Sequence, residues 1–300
     1  MKFFYLGKFQ YTYSTENYVT YALEQNGVQV IKRPYTSTGN LQSYTEQITK
    51  HQPDVVLFSK VSNECFEDLI DWCRDQGILT VCWLWDLYWG YRYQRPPQFL
   101  CDMLFTTDGG HANNWESMGA NHQVLRQGIH EPEHIIYQSS PKTDLAFIGT
   151  TSSHLQRRRL AQWLNGVYRD RITWHTNLRG LPLNQKLAET KIIVGESYPS
   201  ENYWSNRVYE ILGRGGFLLF PETPGLDKEF TDGVHYVSYR RDEYLELEHL
   251  ISYYLAHDKE RESIRQAGFK KCGEYTYTVR TKELLGHIAA YRTRQAGQAT

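Results

Sequence analysis

Short apolar runs, each followed by a stretch with helical periodicity, recur along this chain, and that alternation constrains its fold more than any other feature. Residues 2–6, KFFYL, form the first run and stop at Gly7. A polar loop leads into ENYVTYALEQNG (16–27), where Val19, Ala22 and Leu23 recur at helical spacing and Gly27 suits the position just past a helix end. VQVIKR (28–33) is the next strand. Strand, loop, helix, glycine, strand is a βαβ opening, and it predicts a parallel sheet covered by helices.

The pattern continues through helix 41–51, strand 54–59, helix 65–77, strand 78–85, strand 103–108, helix 112–119 and a weaker strand at 122–128. The segment HEPEHIIYQSSPKT (130–143), with two prolines and many polar residues, reads as a linker. A second series begins at DLAFIGT (144–150). It runs through helix 155–167, strand 171–176, a helix near 183–190, strand 191–196, helix 206–215 and strand 217–220, and then a helical region from about Asp242. Three hundred residues suit two cores of roughly 150 each. The expected fold is α/β, with two Rossmann-like domains facing a cleft: an N-terminal domain 1–132, a C-terminal domain 141–272 and a last segment 273–300.

Composition removes several classes. A net charge of −1 offers no global footprint for nucleic acid or an anionic membrane. The apolar run at the N-terminus is too short for a secretory leader, and no stretch approaches the roughly 18–20 apolar residues of a membrane span. Five cysteines, odd in number and without a CxxC pair, read as free thiols in a reducing compartment, so a cytoplasmic location is expected. The 23 Tyr and 8 Trp are high, and serve core packing as readily as stacking on a ligand.

In parallel α/β sheets ligands sit beyond the carboxyl ends of strands. That selects the segments Gly7–Asn17, Ser59–Asn63, Asp86–Tyr93, Asp108–Asn113, Gly149–Arg157, Glu196–Glu210 and Pro221–Leu226. The most informative stretch is ENYWSNRVYEILGRGGFLLFPETPGLDKEF (201–230). It combines a polar loop with Ser205 and Asn206, a helix carrying Arg207 and Glu210, glycines at 213–216 and a buried strand. Two readings stand: glycines that admit a ligand beside a carboxylate placed for a diol, or glycines that cap the helix with Glu210 in solvent.

This stretch resembles the C-terminal motif of the group 1 glycosyltransferases, notably the spore-maturation (CgeB-like) family. LNQKLAETKIIVGE before it and the blocks to about residue 285 look alike too. The resemblance implies a GT-B fold, a nucleotide-sugar donor held by the C-terminal domain, Glu210 on the donor ribose, and a last helix returning to the N-terminal domain. The family's pattern has a second Glu eight positions earlier; here that position is Asn202, next to Glu201.

FIGTTSSHLQRRR (147–159) is the second informative stretch. Gly149, Thr150 and the hydroxyls after them offer donors to a diphosphate at a helix start. Arg157 either reaches a phosphate, as related glycosyltransferases imply, or lies on a solvated helix face. Lys186 and Arg207 are further cations for the leaving diphosphate. No acidic pair at a strand end and no His/Cys cluster has metal-ligand spacing, so metal-independent transfer is expected, with no cofactor beyond the donor.

The N-terminal domain is expected to hold the acceptor. Gly7 closes the first strand. Ser14, Glu16 and Asn17 sit at a helix entrance, where Ser14 also reads as an N-cap. Asp86, beside Trp85, Tyr88 and Trp89, is either a general base in an aromatic wall or a turn residue. Asp108 with Gly109, Gly110 and His111 has the same two readings. The expected activity is glycosyl transfer to an unknown hydroxyl. A hydroxymethylated base in DNA as acceptor, and a non-catalytic nucleotide-sugar-binding protein, are the alternatives.

Overall fold

The computed structural model describes residues 1–35, 40–59, 65–87 and 100–298. It forms two compact units, Met1–Gln127 with Tyr277–Thr300, and Gly128–Thr276.

In the first unit the chain alternates β1 (Lys2–Gly7), α1 (Thr15–Gln25), β2 (Gln29–Pro34), α2 (Leu41–His51), β3 (Val55–Phe58), α3 (Phe66–Asp75) and β4 (Leu79–Leu84). β5 (Met103–Thr106), α4 (Ala112–Ser117) and β6 (His122–Val124) complete its sheet. The order is β2-β1-β3-β4-β5-β6, every pair parallel. Inner strands are apolar throughout because both faces are covered. Phe3 and Tyr5 of β1 share one core with Val19 and Leu23 of α1; Phe4 and Leu6 share the other with Ile48 of α2 and Leu69 of α3. The last helix, α10 (Tyr277–Gln298), belongs to this unit: Tyr277, Leu284 and Ile288 enter the core that holds α1. Asn26 Nδ2 ties the two helices by donating to Thr278 O and Thr281 Oγ1, each at 2.9 Å.

The second unit contains β7 (Thr143–Ile148), α5 (Leu155–Tyr168), β8 (Ile172–His175), α6 (Leu181–Ala188), β9 (Thr190–Val194), α7 (Arg207–Leu212) and β10 (Leu218–Pro221). β11 (Val237–Tyr239), α8 (Tyr244–Ala256) and α9 (Asp258–Cys272) follow. Its order is β11-β10-β9-β7-β8, again all parallel. Ile148, Ile193 and Phe220 pack on one face with α6 and α7, and Phe147, Val194 and Leu219 on the other with α5 and α8. Two features depart from the sequence reading. β11 is not foreseen, because its three residues are too few to show a period. The helical region after Asp242 is broken at His257 as well as at residues 273–276, so that two helices precede the separate last helix expected near 276–296. Among the described residues no helix is long and apolar enough to cross a membrane.

All strands of a sheet run one way, so the segments after β7, β9, β10 and β11 emerge at a single edge. Close packing behind that edge tolerates little change. A Cβ on Gly268 of α9 would lie 2.3 Å from His235 O, whereas Gly286, exposed on α10, has open space around it. Gly268→Ala is expected to lower unfolding free energy by about 1–3 kcal/mol although alanine favours helix. Gly286→Ala should raise it by up to about 1 kcal/mol. Urea unfolding of the two variants checks the pair, and a Gly268→Ala protein as stable as wild type would contradict this packing.

Candidate functional site

Glu196 leaves the carboxyl end of β9 and is 2% exposed. Cations reach it from both sides. Arg157, in the first turn of α5, donates from Nε to Glu196 Oε2 (3.1 Å) and from Nη2 to Glu196 O (3.2 Å). Arg241, two residues past β11, donates from Nη1 to Glu196 Oε1 and to Ser197 O (2.8 Å). Arg207, the first residue of α7, donates from Nη1 to Glu196 O (3.0 Å). His154, the N-cap of α5, places Nε2 2.8 Å from Glu196 Oε2.

Gly149 makes this convergence possible. It has φ +121°, and a Cβ there would lie 2.3 Å from Arg207 Nη2, so the guanidinium rests on bare backbone. Burial pushes the Glu196 carboxyl up from its usual range, while Arg241 and Arg157 pull it back down. Burial and the neighbouring Arg157 push Arg207 down to about 10. Burial, then Arg157, pushes His154 down to about 4, so it adds no charge near neutral pH. Among the groups that touch Glu196, three guanidiniums stand with one carboxylate, two of them on its oxygens and Arg207 on its backbone carbonyl, which leaves this cluster positive.

α7 is short because glycines end it. Gly215 has φ +73° and Gly216 N donates to Ile211 O at 2.8 Å, so these glycines cap the helix. Glu210 is not solvated: Asn206 Nδ2 donates to its Oε1 (3.0 Å), and Arg214 pairs with its Oε2. Arg214 is 1% exposed and pairs on its other side with Glu133. Ser205 Oγ and Asn206 Oδ1 are buried with no hydrogen-bond partner among the described residues. Upstream, Asn202 is left-handed (φ 49°) and its N–H bonds Pro224 O (2.9 Å), which holds its loop against the turn after β10. An open pocket of about 290 Å³ lies there, lined by Pro199, Ser200, Glu201, Glu222, Thr223, Pro224 and Arg241.

In the first unit, Ser14 caps α1, accepting from Asn17 N at 3.2 Å, and Asn17 Nδ2 donates to Tyr11 O at 2.8 Å. Gly7 is approached by its own unit: a Cβ there would meet Glu16 Cγ at 2.8 Å and Ser59 Oγ at 3.0 Å. Glu16 itself is buried. Asp86 follows β4 and is exposed, while Trp85 before it is buried. Tyr88 and Trp89 lie outside the described residues. Burial is found instead at Asp108, whose carboxylate contacts His111 Nδ1 and accepts from Gly110 N (3.1 Å). Burial pushes Asp108 up, and His111 offsets part of the effect.

Several expectations therefore change. Arg157 is 6% exposed, because the first turn of α5 points it at Glu196 rather than at solvent. Lys186 stands in the last turn of α6 and pairs with Glu189 (3.7 Å), just before β9 at the amino edge of the sheet. It is not brought to the arginine group. Asp86 is exposed at the end of β4 rather than enclosed. Sequence reasoning reaches Glu196 only as the start of a strand-end segment and does not reach Arg241. A charge directly after the apolar run IIVG is the signal for Glu196, and Arg241 follows a strand too short to read.

Two all-parallel sheets with helices on both faces define the GT-B glycosyltransferase fold. Sucrose-phosphate synthase of Thermosynechococcus elongatus shares it at 10% identity, covering 97% of this chain and 99% of that one, with a TM-score of 0.69. HepE of Anabaena, solved with UDP and glucose, does so at 11% identity, 97% and 100% coverage and a TM-score of 0.67. A glycosyltransferase of Rickettsia africae does so at 8% identity, 97% and 98% coverage and 0.66. None of the curated proteins compared with the chain matches it. Residues 132–286, just over half of the sequence, match the Glycosyl transferase-like family, and the chain belongs to that family. It is a glycosyltransferase, which disfavours the non-catalytic alternative.

Buried His122 and half-buried His130 give the stability a pH dependence. Burial pushes His122 down to about 4, and burial with Arg214 does the same to His130. Each is neutral in the folded chain and protonates near 6.5 when unfolded. Their contribution is complete above pH 6.5 and is lost as pH falls toward 4, on the order of 1–3 kcal/mol each. Urea midpoints between pH 7.5 and 4 should fall, and less steeply in His122→Asn and His130→Asn.

Proposed function

We propose that this glycosyltransferase takes its sugar from a nucleoside-diphosphate sugar, releases the nucleoside diphosphate, and uses arginines in place of a metal. The observation that carries the reading is the pair Arg157 and Arg207 beside Gly149, cations at the carboxyl edge of a parallel sheet where backbone and charge meet. The diphosphate lies over Gly149 and Thr150, and the two guanidiniums stabilise the charge that grows on it as the glycosidic bond breaks. Glu210, fixed by Asn206 and Arg214, accepts from the ribose diol. The unpartnered Ser205 Oγ and Asn206 Oδ1 gain their bonds from the same ligand. HepE was solved with UDP and with UDP-glucose, which makes uridine nucleotides the first donors to test.

The motif at 201–230 supports, in this reading, a CgeB-like member of the family. The acceptor hydroxyl binds at the carboxyl ends of the first unit, and Asp86 serves as its base if the transfer inverts configuration. The five cysteines form no disulfide among the described residues, which suits a cytoplasmic setting.

Calorimetric titration with UDP and other nucleoside diphosphates tests the donor assignment. Arg207→Gln and Glu210→Ala are expected to weaken binding at least tenfold, and unchanged affinity in both would remove the donor from this edge. Transfer should also persist in EDTA; activity that disappears and returns with Mn²⁺ or Mg²⁺ would overturn the arginine-only scheme. In Asp86→Asn a general base predicts a single-turnover rate about 10²–10⁴-fold lower with donor binding intact.

A further inference from the structure

Gathering several arginines around one buried carboxylate is a poor arrangement for stability alone, since desolvating the charges costs more than pairing them returns. The charge count at Glu196 points to a ligand, and it points past the two arginines used so far. Arg157 and Arg207 together exceed Glu196 by a single charge; Arg241 brings the excess to two. A nucleotide-sugar diphosphate carries one negative charge on each of its two phosphates.

Topology supports the match. In the order β11-β10-β9-β7-β8, Glu196 at the end of β9 lies between the strand that leads to Arg157 and the strand that leads to Arg241. The two guanidiniums accordingly take different carboxylate oxygens, Arg157 on Oε2 and Arg241 on Oε1, and are held side by side. Arg241 is the more accessible of the two, with 20% of its side chain exposed against 8% for Arg157, and it is the cation of a pocket lined also by Ser200, Thr223 and two exposed carboxylates, Glu201 and Glu222. It is thus anchored at one end in the buried cluster and open at the other.

We propose that Arg241 binds the donor phosphate that carries the transferred sugar, and that Glu196 is the positioning residue holding Arg241 and Arg157 at the spacing of two phosphates. The inference rests on the donor reading above. On bond cleavage the electron pair of the glycosidic bond goes to the phosphate oxygen, and Arg241 is the cation nearest that new charge. Glu196 also limits the excess, so that a single phosphate or a simple anion gains little from the site.

The bland alternative is that Arg241 only ties the segment after β11 to the end of β9, through Glu196 and Ser197 O. Titration with UDP, UMP and inorganic pyrophosphate separates the two. Wild type is expected to prefer UDP over UMP by at least tenfold. Arg241→Gln should lower that preference at least fivefold and weaken pyrophosphate in parallel, with UMP affinity within twofold of wild type. Arg241→Lys keeps the charge without the fork and should fall between the two, which serves if the Gln variant does not fold. Glu196→Gln should bind UMP more tightly while its UDP preference drops, an outcome that simple loss of structure would not give. An unchanged preference in Arg241→Gln, with UDP still bound, overturns this inference and leaves the donor reading standing. Failure of wild type to bind any nucleoside diphosphate overturns both.

Discussion

Parallel strands cannot be joined by a hairpin, and the rest of this structure follows from that constraint. Each connection must cross a face of the sheet and return to the same end, so helices cover both faces and every strand exits at one edge. In the second unit that edge receives Gly149, Glu196 and Arg241 from segments far apart in sequence. No local motif could bring them together. The sheet does so because its strand order interleaves the two ends of the unit around β9.

The edge is also where electrostatics and packing meet. Apolar strands leave their last residues without neighbours, and a carboxylate placed there is half committed to a dry environment. Glu196 tolerates it because guanidiniums surround it, and the guanidiniums tolerate one another because Glu196 lies between them. Glu210 is handled in the same way, with Arg214 shared between it and Glu133. Both acids thus have their orientation set before a ligand arrives, which removes ordering cost from binding.

Much of the fold is legible in the sequence because its inner strands are long enough to show their character. KFFYL, VVLF and KIIV are apolar on both faces, and the helices between them carry one apolar stripe. β11 fails that test, and Arg241 was lost with it. The site is less legible for a related reason. Arg157, Arg158 and Arg159 are alike in sequence, and only the phase of α5 relative to β9 decides that the first is buried. Lys186 erred in the opposite direction: it has the right charge on a helix that starts at the ligand edge, but one and a half turns carry it away. Asp86 and Asp108 both follow a strand, and of the two the structure buries Asp108 and leaves Asp86 exposed.

The chain path through the first unit has a consequence for how the protein is made. α10 fills the core against α1 with Tyr277, Leu284 and Ile288, yet it is synthesised only after the whole of the second unit. The second unit, Gly128–Thr276, is whole before α10 exists, and its two ends are already joined side by side where Ile129 pairs with Thr276. During synthesis the first unit must wait with one face of its sheet covered by α1 alone, the apolar surface meant for α10 open to solvent and to other chains, while the inserted unit folds. The N-terminal half of this protein is therefore the later half to be finished, and its exposure time is set by the length of what lies between.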